Sequence, residues 1–259
     1  GRMVDALAVA SGKGGTGKTT ATLALGMALA DDYDVTVVDT DTGMANLLFH
    51  AGLADVEVTL HDLLVADREA TLPEATYDRF GMRIVPCGTS LEAFQAADPT
   101  RLREVIADLA ADTDVLLLDS PATLASRGAV LPVALADRIV LVVQPTIPAI
   151  TDALKVQEYA TAYGTGVAGV LFNKVHEPSS VDRIVDRAGQ YFEGPILGTV
   201  PMDDAAREAR RAGSPLLAHA PASDAAQAYR EVAANVDVAV GGAEEFADRF
   251  RNAVIPDPP

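Results

Sequence analysis

The sequence predicts a doubly wound α/β domain, with a mostly parallel sheet and helices on both faces. Three observations carry this. Short, near-continuous apolar runs rich in Val, Leu and Ile alternate with longer helical stretches, as strands covered on both faces require. The first run passes through a glycine-rich loop straight into a helical stretch. The 259 residues show no break in composition that would argue for two domains. We therefore expect one domain over 3–240, followed by a C-terminal helix and a Pro-rich tail over 241–259.

In chain order, the expected strands are "ALAVAS" (6–11), "VTVVD" (35–39), "RIVPC" (83–87), "VLLLD" (115–119), "IVLVVQ" (139–144), "VAGVLFN" (167–173) and "ILGTVP" (196–201). Helices are expected over 18–30, 99–111, 124–136, 149–162, 179–192, 203–212 and 222–238. The segment "AEEFADRFRNAVI" (243–255) spaces Phe246, Phe250 and Val254 four apart, a short apolar stripe expected to dock on its own domain. The tail "IPDPP" (255–259) is expected to fray. Ligands of such sheets bind beyond the carboxyl ends of the strands.

Charge and composition narrow the function classes. There are 25 Asp and 12 Glu against 16 Arg and 4 Lys, a formal net charge of −17. This acidic, lysine-poor balance resembles the proteins of salt-in halophiles. A field this negative disfavours nucleic acid and anionic membrane as partners. The only cysteine, Cys87, excludes an intrachain disulfide or a cysteine-held cluster, and it reads as a small buried group. His50, His61, His176 and His219 have no ligand spacing, so no protein-ligated transition metal is expected. No apolar run approaches a membrane span and no signal-like start is visible, so the expected compartment is the cytoplasm.

The loop Gly12-Lys13-Gly14-Gly15-Thr16-Gly17-Lys18-Thr19 satisfies G-x-x-x-x-G-K-[ST] between an expected strand and an expected helix, the context the motif requires. Its glycines let several backbone N–H groups converge on a phosphate chain, and the helix adds its positive end. Lys18 is expected to reach the β- and γ-phosphates of a nucleotide, and Thr19 to hold Mg²⁺. Thr20 extends the phosphate-contacting run. Lys13 is surplus to this scheme, because Lys18 already serves the loop.

The residues K-G-G-T-G-K-T-T resemble the deviant Walker A loop of the MinD/ParA family of ATPases, a group of SIMIBI-type P-loop NTPases. The resemblance implies that Lys13 reaches across to the phosphates of a second identical subunit in an ATP-dependent homodimer. "VVDTDTGMANLLF" (37–49) resembles the family's switch I, which implies that Asp41 positions the attacking water near Mg²⁺. "VLLLDSPATL" (115–124) resembles Walker B with switch II, which implies that Asp119 binds Mg²⁺ through water. Here Thr123 stands where the family pattern D-S-P-A-G has Gly. Gly allows backbone angles that Thr resists, so slow hydrolysis is expected. "GVLFNKV" (169–175) and "VPMDD" (200–204) imply adenine contacts at Asn173, Pro201 and Asp203. The resemblance covers nearly all of 3–238.

Among relatives of this kind, iron–sulfur and nitrogenase-reductase proteins need cysteine pairs that Cys87 cannot supply. DNA-partition ATPases of the ParA type use basic surfaces, and this chain offers only "REARRA" (207–212), whose arginines can pair along their own helix. Membrane-docking relatives use a basic amphipathic C-terminal helix, whereas Glu244, Glu245 and Asp248 outnumber Arg249 and Arg251 here. The expected function is therefore a MinD-like ATPase switch, read by an unidentified protein partner and used to position a cellular structure. The alternatives are an ATP-gated adaptor with little turnover and a ParA-type ATPase.

Overall fold

The computed structural model describes residues 3–238 and 241–259; the expected domain boundary at 240 lies outside the described residues. Nine strands occur among the described residues: β1 (Met3–Ala10), β2 (Val35–Asp39), β3 (Tyr77–Arg79), β4 (Met82–Val85), β5 (Val115–Asp119), β6 (Arg138–Val143), β7 (Gly166–Val175), β8 (Ile196–Pro201) and β9 (Gly241–Gly242). The helices are α1 (Lys18–Leu29), α2 (Leu47–His50), α3 (Leu60–Leu63), α4 (Leu91–Ala96), α5 (Leu102–Ala110), α6 (Arg127–Leu135), α7 (Ile147–Ala162), α8 (Pro178–Gly189), α9 (Asp204–Ala212), α10 (Leu216–His219), α11 (Asp224–Ala234) and α12 (Ala243–Asn252).

Eight strands form one sheet in the order β3-β4-β2-β5-β1-β6-β7-β8, and β9 pairs with the start of β1. The pairings are parallel except β3 with β4 and β9 with β1. This is the expected doubly wound class. The two antiparallel edge strands had no apolar run to announce them.

Because strand side chains alternate, β1 feeds two cores. Ala6, Ala8 and Ala10 face one layer with Leu102, Ile106, Val156 and Phe250. Leu7 and Val9 face the other with Leu23, Tyr229 and Val232. Alanine on one side of β1 lets that helix layer approach closely, while leucine and valine fill the opposite layer. The pattern explains why the buried runs read as continuous rather than alternating.

α12 packs against α5, with Phe246 and Phe250 buried and their rings 4.8 Å apart. Arg251 reaches Asp108 at 2.7 Å, which seats the helix end. The expected stripe ends at Phe250, since the helix stops at Asn252 and Val254 is 89% exposed. The tail expected to fray runs against α7 instead: Pro256 is buried, and Tyr159 Oη donates to the Asp257 carbonyl at 2.7 Å. No helix among the described residues is long and apolar enough to cross a membrane.

Candidate functional site

The loop 11–17 leaves the carboxyl end of β1, the strand flanked by β5 on one side and β6 on the other. The chain order reverses there, which makes it the switch point of the sheet, where open α/β sheets hold their ligands. Gly12 allows the loop to graze α7: a Cβ there would lie 2.5 Å from the Asp152 backbone. Gly17 caps α1 at φ 83 without any side-chain cap, so the first N–H groups of α1 stay free for an anion. Thr16 Oγ1 is buried with no hydrogen-bond partner among the described residues. A buried orphan hydroxyl inside such a loop suits a ligand oxygen.

Beneath the loop, Asp119 at the end of β5 gathers its neighbours. Lys18 Nζ donates to Asp119 Oδ1 at 2.7 Å, and Thr19 Oγ1 donates to Oδ2 at 2.9 Å. Thr22 Oγ1 adds a longer bond of 3.3 Å. Asp39 stands opposite Asp119 in the β2–β5 register. Its carboxylate accepts the backbone N–H groups of Asp41, Asn46 and Leu47, shaping the turn into α2. Burial, and then the neighbouring Asp119 charge, push the Asp39 carboxyl up to about 8.

Asp41 is half-buried at the rim. Burial raises its pKa, opposed by the positive charge of Lys18. Its Oδ1 accepts from the Met44 N–H at 3.1 Å. An all-oxygen donor set of Thr19 hydroxyl with Asp119 and Asp41 carboxylates fits a hard cation such as Mg²⁺, which takes one or two carboxylates and completes its shell with phosphates and water.

Lys13 is half-buried on the loop, and its side chain makes no ion pair or hydrogen bond among the described residues. Only its carbonyl is used, accepting from Ser11 Oγ at 2.9 Å. Gly14 and Gly15 are exposed at the tip. Thr123 is exposed and is not among the positive-φ residues, so its backbone demands nothing that a β-branched residue resists.

On the other flank, Asn173 Nδ2 donates to the Thr16 carbonyl at 2.8 Å. A cavity of about 190 Å³ opens beside it, bordered by Thr20, Asn173, Pro201, Asp203 and Arg210. The Asp203 carboxylate is occupied by capping: Oδ1 accepts from Ala205 N at 2.9 Å and Oδ2 from Ala225 N at 3.1 Å. Arg207 pairs with Asp204 at 2.9 Å and, like Arg210, borders this cavity, so the "REARRA" arginines do not form one free basic face.

Two residues that sequence reasoning passed over also clamp the loop. Lys174 Nζ donates to the Gly15 carbonyl at 2.5 Å from a left-handed backbone with φ 55, and Gln144 Nε2 donates to the same carbonyl at 3.1 Å. A polar residue ending the apolar run "IVLVVQ" was the available signal for Gln144. Of the four histidines, His61 is buried, His50 half-buried, and His176 and His219 exposed. Cys87 is buried, and its thiol donates to the Asp39 carbonyl at 3.0 Å.

Comparison with known proteins matches this geometry. Residues 7–216 match the CobQ/CobB/MinD/ParA nucleotide binding domain. An uncharacterised ATP-binding protein of Methanocaldococcus jannaschii is 38% identical over 90% of this chain and 88% of its own length. The septum site-determining protein MinD of Pyrococcus horikoshii, solved with Mg-ADP, is 35% identical with a TM-score of 0.82 over 91% of this chain and 96% of that one. The cell division ATPase MinD of Pyrococcus furiosus gives 35% and 0.82 over 90% and 98%. Family match, sequence identity and loop architecture agree: the chain belongs to the CobQ/CobB/MinD/ParA family of nucleotide-binding domains.

Proposed function

We propose that this chain is a MinD-like ATPase that pairs with a second copy on binding ATP, hydrolyses it slowly, and thereby positions a cellular structure in the cytoplasm. The observation that carries the reading is the convergence of Lys18, Thr19 and Asp119 within 2.9 Å, below a loop whose second cation, Lys13, has no partner among the described residues. The named similarity to septum site-determining MinD with Mg-ADP supports the nucleotide and the role.

In this reading the loop N–H groups and Lys18 take the phosphates, and Thr19, Asp119 and Asp41 hold Mg²⁺. The ion supplies charge neutralisation at the phosphoryl oxygens when bound. Asp41 orients the attacking water, which is most of what a protein adds to phosphoryl transfer beyond charge stabilisation. Asn173, Pro201 and Asp203 border the purine cavity.

Lys13 crosses to the partner copy's phosphates, so nucleotide sets a monomer–dimer population shift that a partner protein reads. Two features weigh against other outputs. Of the "REARRA" arginines, Arg207 and Arg210 border the nucleotide cavity and Arg207 pairs with Asp204, which leaves DNA little to hold. The apolar face of α12 is spent on α5, which leaves lipid little to bind.

Phosphate release in molar KCl, wild type against Asp41→Ala, tests the enzymatic part. A wild-type rate that the substitution lowers by about a hundredfold supports it. Equal background rates would leave an adaptor without turnover.

A further inference from the structure

His61 is 2% exposed, and both of its ring nitrogens are engaged. Nδ1 lies 2.8 Å from the Gly88 backbone nitrogen, which can only donate, so Nδ1 is the unprotonated acceptor. Nε2 lies 2.9 Å from the Thr42 carbonyl, which can only accept, so Nε2 carries the proton. The two partners fix a neutral imidazole in one tautomer.

The ring rides on a rigid base. Thr59 and Asp62 form a reciprocal capping box around α3, with Thr59 N donating to Asp62 Oδ2 at 2.8 Å. Leu60 N donates to the Pro86 carbonyl at 2.7 Å, and Leu60 and Leu63 are buried. Gly88 lets the ring come close, since a Cβ there would lie 3.1 Å from Nδ1 and 2.9 Å from Thr59 Oγ1.

Thr42 directly follows Asp41. Among the described residues, the other hydrogen bonds of segment 41–46 run within 39–49, chiefly to Asp39 and Asp41 themselves. Among the described residues, His61 is thus the side chain from outside 39–49 that hydrogen-bonds to this segment, while Ala45 packs against both cores. We infer that His61 is a positioning residue for Asp41: its Nε2–H holds the Thr42 carbonyl, in the second peptide after Asp41, and so aims that carboxylate at the phosphate edge of the loop. The inference rests on the ATPase reading above, in which Asp41 orients water.

The two amides separate its two bonds. In His61→Asn the side-chain oxygen stands where Nδ1 does and can still accept from Gly88, but it cannot reach Thr42. In His61→Gln the amide nitrogen can reach the Thr42 carbonyl. Phosphate release and thermal unfolding would be measured for wild type, His61→Asn, His61→Gln and Asp41→Ala.

His61→Asn is expected to unfold cooperatively and keep its KM for ATP within about twofold, while kcat falls on the order of tenfold through misplacement of Asp41. His61→Gln is expected to restore most of kcat. Turnover that Asp41→Ala lowers and His61→Asn leaves intact overturns the positioning role alone. Equal loss of kcat and melting temperature in both amide variants also overturns it, making His61 a packing residue. No release by the wild type removes the ATPase reading, and this inference with it.

Discussion

Lys18 Nζ and Asp119 Oδ1 lie 2.7 Å apart, with side chains only 10% and 2% exposed. The ammonium proposed to bind phosphate is thus neutralised within its own site, by the carboxylate proposed to hold the metal. Phosphate and Mg²⁺ arriving together let each group exchange one partner for another, so neither charge is stranded.

Removing one member of this pair leaves the other buried and uncompensated. Asp119→Ala is expected to lose about 3 kcal/mol in the nucleotide-free protein, a drop of roughly 8 °C in Tm. Lys18→Met added to Asp119→Ala is expected to recover most of that loss, which a thermal double-mutant cycle measures.

Asp39 gives the protein a pH dependence of definite sign. Its carboxyl is held up at about 8, chiefly by burial and next by Asp119, whereas an unfolded Asp titrates near 3.9. The native state therefore binds the proton more tightly. Its contribution is complete below about pH 4 and fades as pH rises through about 8. Urea unfolding without Mg²⁺ or nucleotide should show stability falling across that window, and Asp39→Asn should flatten this component.

Asn173 holds the loop through the Thr16 carbonyl at 2.8 Å. Asn173→Ala is expected to weaken ATP binding about tenfold through the loosened loop, and to lower the melting temperature by a few degrees, on the order of one buried hydrogen bond. Titration with a fluorescent ATP analogue measures it.

Phe250 is fully buried between α12 and α5. Phe250→Ala is expected to cost about 3 kcal/mol in urea unfolding. Flotation with anionic vesicles should recover little of the wild-type protein, because the apolar face is already covered.

Much of this molecule was legible in its residue order. The bounds of β2, β5 and β8 coincide with the expected runs: β2 and β5 are buried throughout and mainly apolar, and β8, though only partly buried at the sheet edge, keeps its apolar Ile196, Leu197 and Val200. β3 escaped because Asp78 and Arg79 are exposed on a three-residue edge strand, and α2, α3, α4 and α10 because four to six residues show no helical period. The phosphate loop could be read because its residues are contiguous. Lys174 and His61 could not, since each grips a backbone carbonyl of another segment, and a carbonyl looks alike under every residue type; Gln144 left one signal, a polar residue closing an apolar run.

The claim on which the account turns is that Lys13 serves a second copy. Light-scattering mass in molar KCl, with ADP and then with a slowly hydrolysed ATP analogue, tests it for wild type and Lys13→Ala. Wild type should give about 27 kDa with ADP and twice that with the analogue, and a Lys13→Ala variant that still binds the analogue should give the single-chain mass in both. A Lys13→Ala protein that doubles its mass with the analogue would contradict it.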